Sequence, residues 1–305
     1  MAKGRTVSTY GVLAVGVVSI AWSAIFVRWT HMPGVASAFY RMFIASVVLW
    51  CVLVFSKVTL TGVDRSTIGV AILSGVFFAG DIGLFNTAVL HTSAGSATFL
   101  ANNAPLLVGL LSWAITRRLP SRRFWTALAI ALVGAWLIVA ADARHAGREW
   151  SADLMAVMAS VCFALYLLTT ERLRKDFDTR ILVTLSATSS AVVLLLVSVL
   201  AHISLAVPDT HSFAALLGLG LICQVTGYFC LTYALGHLPA TVTSVVLLAV
   251  APLTALFAFG LFHERMTILQ GVGGVLVILG VWIVSRAHQG SSQGSGDSGT
   301  FDAVG

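Results

Sequence analysis

Residues 77–111 read FFAGDIGLFNTAVLHTSAGSATFLANNAPLLVGLL, and how that stretch is read decides the fold. Asp81 is a carboxylate in the middle of an apolar span. Asn86 follows, then a short turn at His91–Ser93 and the pair Asn102–Asn103 just before Pro105. Residues 224–256, QVTGYFCLTYALGHLPATVTSVVLLAVAPLTAL, repeat the layout as a polar-dotted span, a short turn and a span broken by Pro252. Thr92 precedes Pro105 by thirteen residues and Pro239 precedes Pro252 by thirteen. The chain therefore carries an internal repeat.

Composition fixes the solvent around that repeat. Of 305 residues, 58% are hydrophobic and 10% charged, with a mean hydropathy of +0.95. A soluble domain carries roughly 25% charged residues, so too few charges are present to cover a water-facing surface. The expected class is an all-α integral membrane protein. A spanning helix needs roughly 20 apolar residues, and such runs lie at 8–27, 33–55, 67–90, 94–116, 122–141, 151–170, 180–203, 212–235, 240–262 and 267–285. Barrel strands would alternate over about 10 residues, and these runs do not. Ten spans split into two halves of five, and an odd number makes the halves insert in opposite senses. The expected domains are 1–146 and 147–288, followed by a Gly/Ser-rich tail at 289–305 that is too polar to bury a core.

The formal charge of +6 orients the chain and does not point to nucleic acid. With the N-terminus inside, thirteen of the 18 Lys/Arg fall in cytoplasmic segments, among them Lys57, Arg117, Arg122, Arg123, Arg172, Arg174 and Arg286. Four (Arg28, Arg144, Arg148 and Arg265) fall opposite, and Arg41 lies within a span. That bias places both termini in the cytoplasm. The first span has no cleavage site before Arg28 and reads as an uncleaved helix.

Arg41 and Asp81 are the charges well inside the spans rather than at their ends, and an intramembrane charge marks a partner or a pathway by default. At about 1.5 Å per residue, Arg41 lies roughly 12 Å below Pro33, while Asp81 lies about 22 Å above Ser66. In a core of about 30 Å the two are level. They are expected to face each other or one cavity, as a structural ion pair or as solute contacts. Asn102 and Asn103 fall near the midplane, with Pro105 one turn on; Pro105 and Pro252 each remove a backbone donor and kink their helices. Trp22 sits too deep for the interfacial belt, so it packs between helices or lines a cavity. Gln224 and Tyr228 occupy the span that matches the one holding Asp81. Gly75, Ala79 and Gly83 recur every four residues as a stripe for close helix contact.

No cofactor or metal is expected. The four cysteines lie inside apolar spans without ligand spacing. Three functional classes differ in what they require of the sequence. An intramembrane aspartyl protease needs a second aspartate, His263-Glu264 lacks the second His of a zinc helix, and a Gly-x-Ser-x-Gly elbow is absent. A channel or receptor lacks rings of charge and a filter-like loop. A transporter fits the repeat, the broken helices and the polar groups gathered at one depth. Its expected partners are a small-molecule solute and the lipid bilayer, with the coupling ion open.

Five stretches carry a family resemblance: AWSAIFVRW (21–29), YRMFIASVVL (40–49), residues 77–107, residues 232–267 and GVGGVLVILGVWI (271–283). On these the chain resembles the EamA-type, ten-helix branch of the bacterial drug/metabolite transporter superfamily. The resemblance implies ten helices in two inverted five-helix EamA repeats. It also implies the cytoplasmic membrane and movement of small metabolites, commonly outward. In the family pattern a Gly often follows the first-helix Trp, where this chain has Ser23, and a Glu commonly follows the repeat proline. Here Glu264 fills that place in the second copy and Arg117 stands in the first. The expected solute contacts are Trp22, Arg41, Asp81, Asn102, Asn103, Gln224 and Tyr228. Arg41 suits a carboxylate and Asp81 an ammonium, which favours an amino-acid-like solute and its export.

Overall fold

The computed structural model describes residues 2–57, 64–91, 100–101, 103–117, 119–142, 150–174, 177–262 and 267–297. These residues form helices and connecting turns. The helices are α1 (Ala2–Ala21), α2 (Ser23–Thr30), α3 (Gly34–Phe55), α4 (Arg65–His91), α5 (Ala104–Thr116), α6 (Arg122–Asp142), α7 (Trp150–Leu173), α8 (Thr179–Leu200) and α9 (Thr210–Gly218). They continue through a π-helical segment at Leu219–Tyr228 into α10 (Phe229–Leu235), α11 (Ala240–Leu247), α12 (Val250–Phe262) and α13 (Ile268–Asp297).

Eight helical stretches are long and apolar enough to cross a membrane: Ser8–Thr30, Gly34–Phe55, Arg65–Ala88, Trp150–Leu173, Thr179–Leu200, Thr210–Leu235, Ala240–Leu261 and Ile268–Ala287. The expected spans at 94–116 and 122–141 correspond to the shorter apolar helix α5 and to α6, which are not among those eight. The last helix, α13, runs on through Asp297. Extending a helix already nucleated costs little per residue. Residues 298–305 lie outside the described residues.

Large apolar side chains such as Phe43, Val47, Trp113, Val192 and Ile278 are exposed, as a bilayer solvent allows. The interior is built from small residues at helix crossings. A Cβ on Gly134 would lie 2.5 Å from the Gly273 carbonyl oxygen, and one on Gly273 would lie 2.4 Å from the Gly134 oxygen. α6 and α13 therefore touch backbone to backbone. The Gly75 stripe does the same for α4 and α8, where Ser190 Oγ donates to the Gly75 carbonyl at 2.6 Å. Such contacts replace the hydrophobic drive that lipid tails remove.

Contacts between the halves come in exchanged pairs. Span three packs on span six as span one packs on span eight. Span four packs on span six as span one does on span nine, and span three on span seven as span two on span eight. Spans two and seven, four and nine, and five and ten each contact their own counterpart. These contacts are paired under exchange of the halves, while others, such as that of span nine with span five, are not.

Three spans are broken near mid-length and one is re-wound. The first breaks at Trp22, between α1 and α2. α5 starts at Ala104, and both the Asn103 backbone N–H and its side-chain amide donate to the Leu100 carbonyl. In the ninth span the helix is interrupted at Leu248–Ala249. Pro252 lacks the N–H that would bond the Leu248 carbonyl, and Ala251 N–H takes that carbonyl at 3.2 Å in a tighter turn. The eighth span passes through ten residues of π-helix, a geometry rare outside functional sites.

Candidate functional site

The re-wound segment lies against α1 and α3 because glycines flank its centre. A Cβ on Gly220 would fall 2.6 Å from Ile44 Cγ2, and one on Gly227 would fall 2.8 Å from Ile20 Cγ1. That close approach carries Gln224 and Tyr228 onto Arg41. Arg41 Nε donates to Gln224 Oε1 at 3.0 Å, and Nη1 donates to Ser23 Oγ at 2.9 Å. The guanidinium carbon stands 5.2 Å from the Tyr228 ring centroid, within cation–π range. Arg41 is 4% exposed, and its Nη2 is buried with no hydrogen-bond partner. An unsatisfied buried polar atom is costly, more so on a charged group.

Behind Tyr228 is an aromatic wall. Phe78 stacks on Tyr166 with centroids 4.4 Å apart and meets Tyr228 at 4.5 Å. Phe163 continues the wall at 6.1 Å from Tyr166. The Tyr166 hydroxyl lies beside those of Thr170 and Thr232, although both threonine oxygens are buried outside hydrogen-bond geometry.

Asp81 is half-buried and stands in the Coulombic field of Arg41, as do Tyr166 and Tyr228. Among the described residues Arg41 and Asp81 form no ion pair. Arg41 donates two of its nitrogens to neutral acceptors on α2 and the π segment.

Trp22 sits at the break itself, stacked on Phe257 at 4.8 Å and on Phe26 at 5.8 Å. The break frees the Ala21 carbonyl, since Ile25 N–H bonds the Trp22 oxygen at 3.1 Å instead. Thr254 Oγ1 donates to that freed carbonyl at 2.9 Å. The interruptions of the first and ninth spans are thereby stitched together. Asn103 directs its amide to its own helix, and Asn102, Glu264 and Arg265 lie outside the described residues. Sequence reasoning missed Ser23, Phe78, Tyr166 and the π segment. Ser23 carried a signal as the residue following Trp22.

Two clamps lie at the ends of the spans. Asn86 is 2% exposed and donates its amide to Ser37 Oγ at 3.3 Å and to the Gly34 carbonyl at 3.4 Å. Arg174 Nε donates to the Thr232 carbonyl at 3.2 Å and Nη1 donates to that of Phe177. This caps the C-terminal end of α10 with a cation. Burial pulls the Arg174 guanidinium below its ordinary value, against the opposing charge of Asp178. A cavity of about 150 Å³ opens between α4 and α7, lined by Thr87, His91, Ser151, Ala152 and Met155. Thr87 is about 9 Å along α4 from Asp81. No group of three or more His, Cys, Asp or Glu is placed to hold a metal ion among the described residues.

A multi-pass helical membrane protein whose helices break around a buried cation has the architecture of a transporter. Residues 8–140 and again 150–286 match the EamA-like transporter family, and the chain belongs to it. It is 30% identical over 211 residues to the uncharacterized transporter YwfM of Bacillus subtilis (strain 168), covering 67% of this chain and 69% of that one. It is 25% identical over 261 residues to an uncharacterized transporter of Archaeoglobus fulgidus, covering 83% and 88% respectively. A crystal structure with a TM-score of 0.79 and 15% identity, covering 92% of this chain and 97% of the other, shares the fold.

Proposed function

We propose that this membrane transporter is a secondary carrier. It moves an amino-acid-like solute by alternating access, exporting it across the cytoplasmic membrane. The observation that supports this most is the buried Arg41 head, held at Nε and Nη1 and without a hydrogen-bond partner at Nη2. Fixed in that way, it offers a solute carboxylate one charge-assisted donor in a site that excludes water. Asp81 stands in the same field without taking that donor, and so serves a solute ammonium. The aromatic wall of Phe78, Tyr166 and Tyr228 packs the rest of the solute.

Alternating access is supported by the contacts between the halves that recur in exchanged pairs. We read them as two inverted five-helix repeats of a ten-helix bundle, with domains 1–146 and 147–288. Broken helices at the repeat interface frame the site in such folds. With both termini in the cytoplasm, the cavity at Thr87 and His91 is the external mouth. The Asn86 and Arg174 clamps then close opposite ends of the bundle. The site comprises Arg41, Asp81, Gln224, Tyr228 and Trp22, with Asn103 on the approach and Pro105 and Pro252 as hinges.

The test is counterflow in proteoliposomes containing the purified chain and preloaded with a mixture of the twenty standard ¹⁴C-labelled L-amino acids. Accelerated exchange of one or more members, abolished in Arg41→Gln, supports the reading. Exchange no faster than in empty liposomes for every member removes amino acids as the solute class.

A further inference from the structure

We infer that Ser23 is a positioning residue of the solute site: its hydroxyl holds Nη1 of Arg41 and leaves Nη2 to face the solute. This rests on the reading of Arg41 as the solute anchor. A guanidinium is a rigid plane with donors on three nitrogens. Gln224 fixes it at Nε, at 3.0 Å. A single fixed corner leaves the head free to turn about its Nε–Cζ bond, which exchanges Nη1 and Nη2. The second corner, Nη1 on Ser23 Oγ at 2.9 Å, stops that rotation. Nη2 is then singled out as the nitrogen without a protein partner, so one anionic oxygen is gripped from one direction.

Ser23 is the first residue of α2, directly after Trp22 at the cap position. Its hydroxyl reaches out of its own helix to Arg41 in the next span. Its place is also set from outside its own helix. The residue two before it, Ala21, is bonded by Thr254 of α12, and the residue before it, Trp22, stacks on Phe257 of the same helix. Movement of the first and ninth spans at their breaks would carry Ser23 with them, and so would change the hold on Arg41.

The experiment has two arms. In the first, ¹⁵N-arginine-labelled protein in lipid nanodiscs is examined by NMR, with the Arg41 lines assigned by their loss in Arg41→Lys. Wild type is expected to give separate Nη1 and Nη2 lines. Ser23→Ala is expected to merge them, and Ser23→Thr, which keeps the hydroxyl, to retain two. In the second, transport of the fastest-moving member of the amino-acid mixture is measured in proteoliposomes. Ser23→Ala is expected to raise the half-saturation concentration about tenfold, the scale of one hydrogen bond to a charged group. Maximal rate should stay within twofold, and Ser23→Thr should restore most of the affinity. Ser23→Gly carries the same expectations as Ser23→Ala and stands in for it if that variant does not fold. Two separate lines in Ser23→Ala, or an unchanged half-saturation, overturns the inference. If wild type moves no amino acid, the solute class fails while the NMR arm still decides on Ser23.

Discussion

Replacing Gln224 by Leu removes the acceptor that Arg41 Nε uses, without opening a large void. Both partners are buried, at 4% and 2% exposure, and the bond is 3.0 Å long. Hydrogen bonds to a charged group contribute about 1.5–3 kcal/mol. Arg41 already has one bare nitrogen, so the substitution leaves a second donor unsatisfied on the same buried cation, at a cost near the middle of that range, about 2 kcal/mol. Domains of 150–250 residues lose about 2–4 °C in Tm per kcal/mol. The expected fall is therefore about 4–8 °C, read by thermal unfolding of detergent-purified protein. Gln224→Glu is the converse. A carboxylate in the same place pairs with Arg41 and supplies the charge the cation lacks, so stability holds or rises while solute exchange is lost. A Tm fall below about 1 °C in Gln224→Leu would refute the hydrogen bond as a stabilising contact. Wild-type exchange by Gln224→Glu would refute Arg41 as an anion anchor.

Three further outcomes test other parts of the structure. A reporter that is active only outside the cytoplasm, fused after Arg286, should stay silent, while one inserted at 143–149 should be active; the reverse pattern sinks the proposed orientation. Gly75→Ala places a Cβ 2.4 Å from the Ser186 carbonyl oxygen, whereas the same change at Gly69 meets nothing within 4 Å. Overpacking of about 1–3 kcal/mol should lower the Tm of the first variant and leave the second unchanged, and equal melting of the two would remove the α4–α8 crossing from the account. Asp178 caps α8 by accepting from Arg180 N–H at 2.8 Å, and the Arg180 side chain holds its carboxyl below the ordinary carboxylate value. A depressed folded value means the stabilisation is present above the unfolded pKa of about 3.9 and fades as pH falls through the folded one. Asp178→Ala should therefore cost about 1 kcal/mol at pH 7 and progressively less below pH 4, and a pH-independent difference would contradict the charged cap.

The membrane class and the repeat were legible in the sequence because both rest on local quantities. Long apolar runs with few charges cannot fold in water, and the thirteen-residue spacing to Pro105 and Pro252 is visible without any tertiary contact. Arg41 and Asp81 were legible for the same reason, since a charge inside an apolar span persists only with a use or a partner. Their depths, estimated by counting residues, also placed them in one field. What counting could not supply was the choice of partner. Arg41 meets Gln224 across 183 positions of sequence, a contact set by how closely the glycines at 220 and 227 let the eighth span approach α1 and α3.

The π-helical winding escaped the sequence for a similar reason. Residues 219–228 have ordinary helical composition, and an extra residue per turn is stabilised by what the re-aimed side chains meet. Ser23 escaped because a serine within a span is unremarkable until Arg41 is seen at 2.9 Å. The sequence alone determined that this chain lives in a bilayer, is built twice, and carries charge inside its apolar spans, because apolar length, repetition and charge are properties of the chain itself. Only the tertiary structure decided which nitrogen of Arg41 is left open, because that depends on helices distant in sequence meeting at atomic distance.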